Sequence, residues 1–327
     1  MGRLHARVYS QMPGIKLVGV VDCNSPAAEA TARDFGSRPV ASVDELALMV
    51  DAVTIATPTS THLVMAEPFL KRRVACLIEK PLAGTVEEAR QIAQIATDHH
   101  AIVQVGHIER FNPAVRAMAR LQVHPRFIEV TRISPLTFRS LDVGVVLDMM
   151  IHDIDIVLRL AESTVARIDA VGVSVTGTAE DICNARLTFA NGCVANVTAS
   201  RLALKTERRL RVFSEDAYVS IDYQKRYGIV VRGKGHLDKL RDTIARLRAG
   251  EIQDLGSLDY KELVNVEELK IDDTEPLRAE LDAFIESVRG KTAPSVSAEE
   301  GVAAVEVATR IVQAMKQSAW LPSASPA

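Results

Sequence analysis

Four cysteines in 327 residues, Cys23, Cys76, Cys183 and Cys193, stand far apart and form no CxxC pair. Such spacing argues against a disulfide framework or a thiolate metal site and fits idle or buried thiols in a reducing cytoplasm. The net charge of -3 supplies no basic field for nucleic acid. No run approaches the ~18 consecutive apolar residues that a membrane span requires. The amino terminus shows no basic stretch followed by an apolar one, so no secretory leader is expected. Met1-Gly2 does not read as a myristoylation signal, because Ala6 stands where Ser or Thr is needed. Internal repeats are absent, and the short tail "SASPA" is the one biased segment.

What is present is ordinary for a soluble globular protein: 47% apolar and 25% charged residues, in a chain long enough for two domains. Residues 1–115 alternate strand and helix. "KLVGVVD" (16–22), "AVTIAT" (52–57), "VACLIEK" (74–80) and "AIVQVG" (101–106) are Val/Ile/Ala runs without polar alternation. This is the pattern of strands buried on both faces of a parallel sheet. Between them "PAAEATARDFG", "STHLVMAEPFLKRR" and "TVEEARQIAQIATDHH" carry apolar residues at helical spacing, and Thr85 with Glu88 has the form of a capping box. The expectation is a doubly wound α/β domain.

From about Arg126 the pattern changes to alternating strands: "RFIEVTRIS", "RIDAVGVSV", "DICNARLTFANGCVANVTASR" and "RRLRVFSEDAYVSIDYQKRYGIVVRGK". Asn191-Gly192 predicts a type I′ hairpin turn. A mostly antiparallel sheet is expected over 116–327. One helix at 146–161 interrupts it, and two more at 274–289 and 298–316 pack back at the end. "GHLDKLRDTIARLRAG" (235–250) places Leu237, Leu240, Ile244 and Leu247 on one face of a basic helix. It reads as a packed surface helix, with a membrane-surface helix as the alternative.

Several residues carry chemistry. Asp22 ends the 16–22 strand, 20 residues after Gly2. An acidic group there accepts hydrogen bonds from the ribose hydroxyls of NAD and repels a 2′-phosphate, which favours NAD while leaving NADP open. Gly2 stands where the last glycine of G-x-G-x-x-G would open the helix. "ATPTSTH" (56–62) falls at the carboxyl edge of a strand, where dinucleotides bind, so Thr57, Pro58 and His62 count as cofactor contacts, although His62 suits a helix start better than a ligand. In "EKP", Glu79, Lys80 and Pro81 follow a strand in the same way, and a partly desolvated Lys80 suits proton transfer or hydroxyl binding. In "LDMMIHDID" (147–155), Asp148 and His152 are four apart, one helical turn on one face. A carboxylate beside an imidazole amid Leu, Met and Ile suits acid–base work, and equally suits an acidic helix start with a satisfied histidine. Zinc lacks supporting Cys or further His, so no metal is expected. No Tyr-x-x-x-Lys spacing occurs.

Taken in order, "VVD", "ATPTSTH", "EKP", "DxxxHDxD" and "EPLRAELDAFIESVRG…VSAEEGVAAVEVA" resemble the Gfo/Idh/MocA family of NAD(P)-dependent oxidoreductases over nearly the whole chain. The resemblance implies a Rossmann domain followed by an open-faced sheet domain that binds sugars or polyols. It also implies homodimers or homotetramers formed through that sheet. By the same resemblance Lys80 contacts nicotinamide ribose and the reacting hydroxyl, His152 is the general acid/base, and Asp148 positions substrate or histidine. "GHIERFNPAV" (106–115) is similar to the subgroup acting on nucleotide sugars, such as UDP-N-acetylglucosamine 3-dehydrogenases. Arg110 and Asn112 are candidate substrate contacts, and Arg132, Arg139, Arg201 and Lys205 are candidate cations for a diphosphate. Inositol or free-sugar dehydrogenation is the alternative.

In such a fold the first strand and its G-x-G-x-x-G precede the helix that opens at Gly2. Four buried Val/Ile-class side chains contribute ~6–12 kcal/mol, against a net domain stability of ~5–15 kcal/mol. The chain from Met1 is therefore expected to bind NAD weakly. A native start roughly 10–15 residues upstream restores the pyrophosphate loop. The competing expectation is a sugar-binding or regulatory member that has lost the cofactor; the presence of Lys80, Asp148 and His152 together favours the enzyme.

Overall fold

The computed structural model describes residues 1–137, 143–176, 179–232, 236–252 and 265–316, with the side chains of 236–240 left out. The chain divides into two compact units. Unit 1 comprises Met1–Phe111 and Thr274–Arg310; unit 2 comprises Asn112–Asp273 and the chain from Ile311 on.

Unit 1 opens with α1 (Gly2–Ser10), α2 (Ser25–Asp34) and the short α3 (Val43–Ala47). Asn24 caps α2 by accepting from the Ala27 N–H, and Ser42 caps α3 through the Glu45 N–H. Strands β1 (Ala52–Ile55), β2 (Ala75–Glu79) and β3 (Val103–Gly106) form a parallel sheet in that order. α4 (His62–Leu70) and α5 (Val86–His99) make the crossovers. Thr85 accepts from the Glu88 N–H at 3.2 Å, the predicted N-cap. A core of Val8, Tyr9, Met12, Ala75, Leu77, Leu281, Phe284 and Ile285 joins α1 and β2 to the helix Pro276–Val288. The α/β character expected from the sequence is borne out.

Two details differ from expectation. Residues 16–22 form no ladder: Val20 bridges Pro39 alone, donating to the Arg38 carbonyl and accepting from the Val40 N–H. The stretch is half-buried where full burial was expected, because among the described residues no strand lies along it. β1 likewise is half-buried over Ala52–Thr54, as befits a strand paired on one side only. Full burial belongs to β2 and β3.

Unit 2 begins with α6 (Pro113–Ala119) and β4 (Phe127–Ile133). A π-turn over Val146–Met150 then leads into α7 (Ile151–Ala161). Six strands follow: β5 (Val165–Val173), β6 (Ile182–Phe189), β7 (Val194–Ser200), β8 (Glu207–Phe213), β9 (Ala217–Asp222) and β10 (Tyr227–Arg232). α8 (His236–Arg248) and β11 (Asn265–Glu268) come next, and the end of the helix Ala298–Met315 also belongs to this unit. The sheet runs β11-β10-β9-β8-β4-β7-β6-β5, and among the described residues β4–β7 is its one parallel pair. Alternation in β4, β6 and β7 points one face inward: Ile128, Val130, Ala185, Leu187, Ala195 and Val197 are buried.

The β6–β7 turn forms at the predicted place with a different geometry. Gly192 has φ +85° while Asn191 stays out of the positive-φ region. The Gly192 N–H donates to the Phe189 carbonyl and the Phe189 N–H to the Cys193 carbonyl. This is a type I turn with glycine in the left-handed position, in place of the expected type I′. Asn191 holds it differently: its Oδ1 accepts from the Cys193 N–H, and its Nδ2 donates to the Ala161 carbonyl. In α8 the face expected from Leu237 and Leu240 lies outside the described side chains, and Ile244 is exposed. No helix among the described residues is long and apolar enough to cross a membrane.

Candidate active site

In unit 1 Thr57, Pro58 and His62 follow the carboxyl end of β1, and Glu79, Lys80 and Pro81 stand at that of β2. His62, buried at the start of α4, ties these ends together. Its Nδ1 lies 3.0 Å from the Pro81 carbonyl and 3.2 Å from that of Leu82, and its Nε2 is 3.1 Å from the Thr57 carbonyl. Thr57 and Pro58 are exposed, and the Thr61 hydroxyl donates to the Pro58 carbonyl and lies 2.8 Å from the Thr57 hydroxyl. A Cβ on Gly2 would find Ala56 Cβ nearest, at 3.8 Å, so the start of α1 lies beside the same edge. Lys80 is half-buried directly after β2, and the Lys80–Pro81 peptide is cis.

These groups suit a dinucleotide. The first turn of α1 carries no acidic residue, and no side chain caps it, so its positive end is open to an anion. Asp22 is exposed, and its Oδ1 accepts from the Asn24 N–H, leaving a carboxylate for a ribose diol.

Beneath this edge is a buried polar layer. His5 Nε2 is 2.8 Å from Glu79 Oε1, and the Tyr9 hydroxyl is 2.9 Å from Thr54 Oγ1. Glu280, on the helix Pro276–Val288, is fully buried and neither carboxyl oxygen has a hydrogen-bond partner among the described residues. Burial first, then the charge of Glu79, pushes its carboxyl well above the usual range. Burial likewise pushes the Tyr9 hydroxyl up. Nothing local in the sequence announces His5–Glu79 or Glu280, since the partners are 74 and more residues apart.

In unit 2, Asp148 lies inside the π-turn and His152 one residue into α7. The predicted α-helical turn between them is therefore partly a wider one. Both are half-buried, while Val145, Val146, Met150, Ile151 and residues 153–157 are buried. Asp148 and His152 thus stand among buried neighbours without being fully enclosed themselves.

The other candidates have structural partners. Arg110, whose side chain is 7% exposed, donates to Glu300 Oε1 at 2.6 Å and to the Ser295 carbonyl. Asn112 caps α6 through the Ala114 N–H. Arg132 forms a two-pronged buried pair with Asp153, at 2.7 and 2.9 Å, and Arg201 pairs with Asp181 at 2.6 Å. Buried arginines held this way are not free for a diphosphate. Lys205 is exposed beside Glu207. Arg139 lies outside the described residues. Among the described residues no cluster of three or more metal-ligating side chains occurs.

Residues 1–107 match the oxidoreductase family with an NAD-binding Rossmann fold, and residues 137–322 match its C-terminal alpha/beta domain. The chain is similar to UDP-N-acetylglucosamine 3-dehydrogenase of Acidithiobacillus ferrooxidans. It is 40% identical over 224 residues, 68% of this chain and 71% of that protein. A solved structure of that enzyme superposes with a TM-score of 0.86 at 31% identity, covering 98% of this chain and 96% of the other. Inositol 2-dehydrogenase of Rhizobium meliloti is 29% identical over 262 residues, 72% of this chain and 77% of that protein.

Proposed function

The chain belongs to the Gfo/Idh/MocA oxidoreductase family, and on that footing we propose that it oxidises a secondary hydroxyl of a nucleotide sugar, the 3-hydroxyl of UDP-N-acetylglucosamine, with NAD. The observation that carries this is the placing of Asp148 and His152, both half-buried, at the start of one helix, in a chain that matches the Acidithiobacillus enzyme over 98% of its length. NAD supplies the two-electron acceptor. The open end of α1 and Asp22 suit its pyrophosphate and ribose, with the loop from Thr57 to His62 shaping the edge beside them.

In this reading His152 takes the hydroxyl proton while the same carbon gives up its hydride, a loss of two electrons and two protons in all. Lys80 donates a hydrogen bond to the hydroxyl oxygen and lowers the cost of its developing negative charge. Asp148 orients the imidazole or the sugar. His152→Ala is expected to lower turnover by about 10²–10⁴ at saturating substrate. Wild-type turnover in that variant removes the assignment.

The direct test is a panel of UDP-sugars, free sugars and inositols with NAD, followed by absorbance of the reduced cofactor. Preference for UDP-N-acetylglucosamine supports the proposal. Preference for inositol supports the second reading, which the likeness to inositol 2-dehydrogenase favours. The proposed setting is the cytoplasm, consistent with four free cysteines. The proposed assembly is a homodimer or homotetramer through the large sheet, which light scattering checks.

A further inference from the structure

The open end of the β6–β7 hairpin holds the start of the helix that carries Asp148 and His152. Glu180 and Arg201 flank that end. Ile182 pairs with Ser200 as the last rung of the ladder, and the Arg201 N–H donates to the Asp181 carbonyl one step beyond it. From there two arms reach the helix start. The Glu180 carbonyl accepts from the Val145 N–H at 2.9 Å, and its carboxylate accepts from the Val146 N–H at 3.1 Å. Arg201 Nη1 donates to the Val143 carbonyl at 2.7 Å while its Nε holds Asp181.

The arms are themselves fixed. Asp181, with no side-chain exposure, accepts from the Val175 and Thr176 N–H groups at 2.7 Å each and from the Thr176 hydroxyl at 3.0 Å. Burial acts to raise its carboxyl, but these bonds and Arg201 outweigh it and hold the carboxyl below its usual value. Gly144 fits the same design, since a Cβ there would overlap the Glu180 carboxylate. The glycine admits the cap.

A buried ion pair is weak evidence for stability, because desolvation offsets most of the attraction. A fixed, hydrogen-bonded pair does define position. Glu180 fills the role of an N-terminal cap whose residue comes from another segment, 34 positions away. The first bond inside the helix, Asp148 N–H to the Gly144 carbonyl at 3.0 Å, begins directly at this brace. The π-turn follows at once, and wide turns of this kind recur at functional sites.

We infer that Glu180 and Arg201 are positioning residues, a brace from the hairpin end that sets where Asp148 and His152 stand. The inference rests on the catalytic reading of His152 given above. Each acts through the backbone of residues 143–146, which Glu180 and Arg201 bond directly.

The test uses Glu180→Gln, Glu180→Asp and Arg201→Lys in the full chain. Gln keeps an acceptor oxygen at the same reach and loses the charge. Asp keeps the charge and falls short by one methylene. Gln is expected to retain kcat within about threefold. Asp and Lys are expected to lose about 10- to 100-fold in kcat, as small misplacements do, with a smaller change in KM and the pH–rate limbs unmoved. Hydrogen exchange at the 145–148 amides, read by mass spectrometry, should rise in Glu180→Asp and stay low in Glu180→Gln. Wild-type kcat in Glu180→Asp, or equal damage from Gln and Asp, overturns the brace. His152→Ala in the same assay separates the two ideas. Full activity there sinks the catalytic reading, whereas an inactive His152→Ala beside a fully active Glu180→Asp sinks the brace alone. If no sugar in the panel turns over, unchanged amide exchange in Glu180→Asp still overturns it.

Discussion

In β2 all five residues from Ala75 to Glu79 are buried, whereas in β6 buried and open residues alternate from Ile182 to Phe189. The first strand is covered on both faces and reads as an unbroken apolar run. The second has one covered face, so every other position is free to be polar, and Asn184 and Arg186 take it. Their polar chemistry is placed accordingly. In unit 1 it gathers where the strands stop, at Thr57 and Lys80, because the strands have no free face to carry it. In unit 2 the half-buried Asp148 and His152 sit at a helix start whose backbone bonds to Glu180 and Arg201 at the hairpin end.

The sharpest break in this comparison is expected from truncating each strand. Ile78→Ala should cost about 2–5 kcal/mol, since a fully buried side chain leaves a cavity. Arg186→Ala, at an exposed side chain that donates to Asn196 Oδ1, should stay within about 0.5 kcal/mol. Urea denaturation of both variants decides it, and equal losses would erase the distinction between the sheets.

A smaller effect comes from Glu280, the acid sealed under β2. Its folded-state pKa is raised, so below the unfolded value both states hold the proton and pH has no leverage. As pH rises past that value the unfolded chain releases the proton first, and folded stability falls until the folded pKa is passed. Glu280→Gln abolishes this fall. At pH 8 its Tm should exceed that of the wild type by about 3 °C or more, with the gap closing toward pH 4. A gap independent of pH would show that Glu280 does not titrate with folding.

The least effect is expected in the hairpin of unit 2. Gly192→Ala forces an L side chain to φ +85° and should cost about 1 kcal/mol without altering the fold. A silent substitution would mean that the turn rearranges to suit it.

Much of this architecture is visible in the residues themselves. Apolar runs mark β2 and β3, alternation marks β4, β6 and β7, and Thr85 marks the start of α5. The exceptions share a cause, which is dependence on a distant partner. Residues 16–22 have strand composition, yet a strand exists only where a neighbour supplies its hydrogen bonds. Asn191-Gly192 signals a turn, but the pull of the Ala161 carbonyl on Asn191 sets its type. Asp148 and His152 stand out by spacing and chemistry. Glu180, Asp181 and Arg201 do not, because their meaning lies in a helix start some 35 to 60 residues away. For the same reason Arg132 and Arg201 look like free cations until Asp153 and Asp181 are seen beside them.

Unit 1 is assembled from two pieces of chain, with Asn112–Asp273 belonging to the other unit between them. Leu277, Leu281 and Phe284 complete its core against Val8, Tyr9 and Leu77. During synthesis at roughly 5–20 residues per second, the first 111 residues therefore wait some 10–30 s for the helix that covers them. Meanwhile β2 has its apolar face without its lid. The intervening segment carries its own sheet and can form while unit 1 is still open. Neither unit is complete when its first stretch leaves the ribosome: unit 1 waits for Thr274–Arg310, and unit 2 for the chain from Ile311 on.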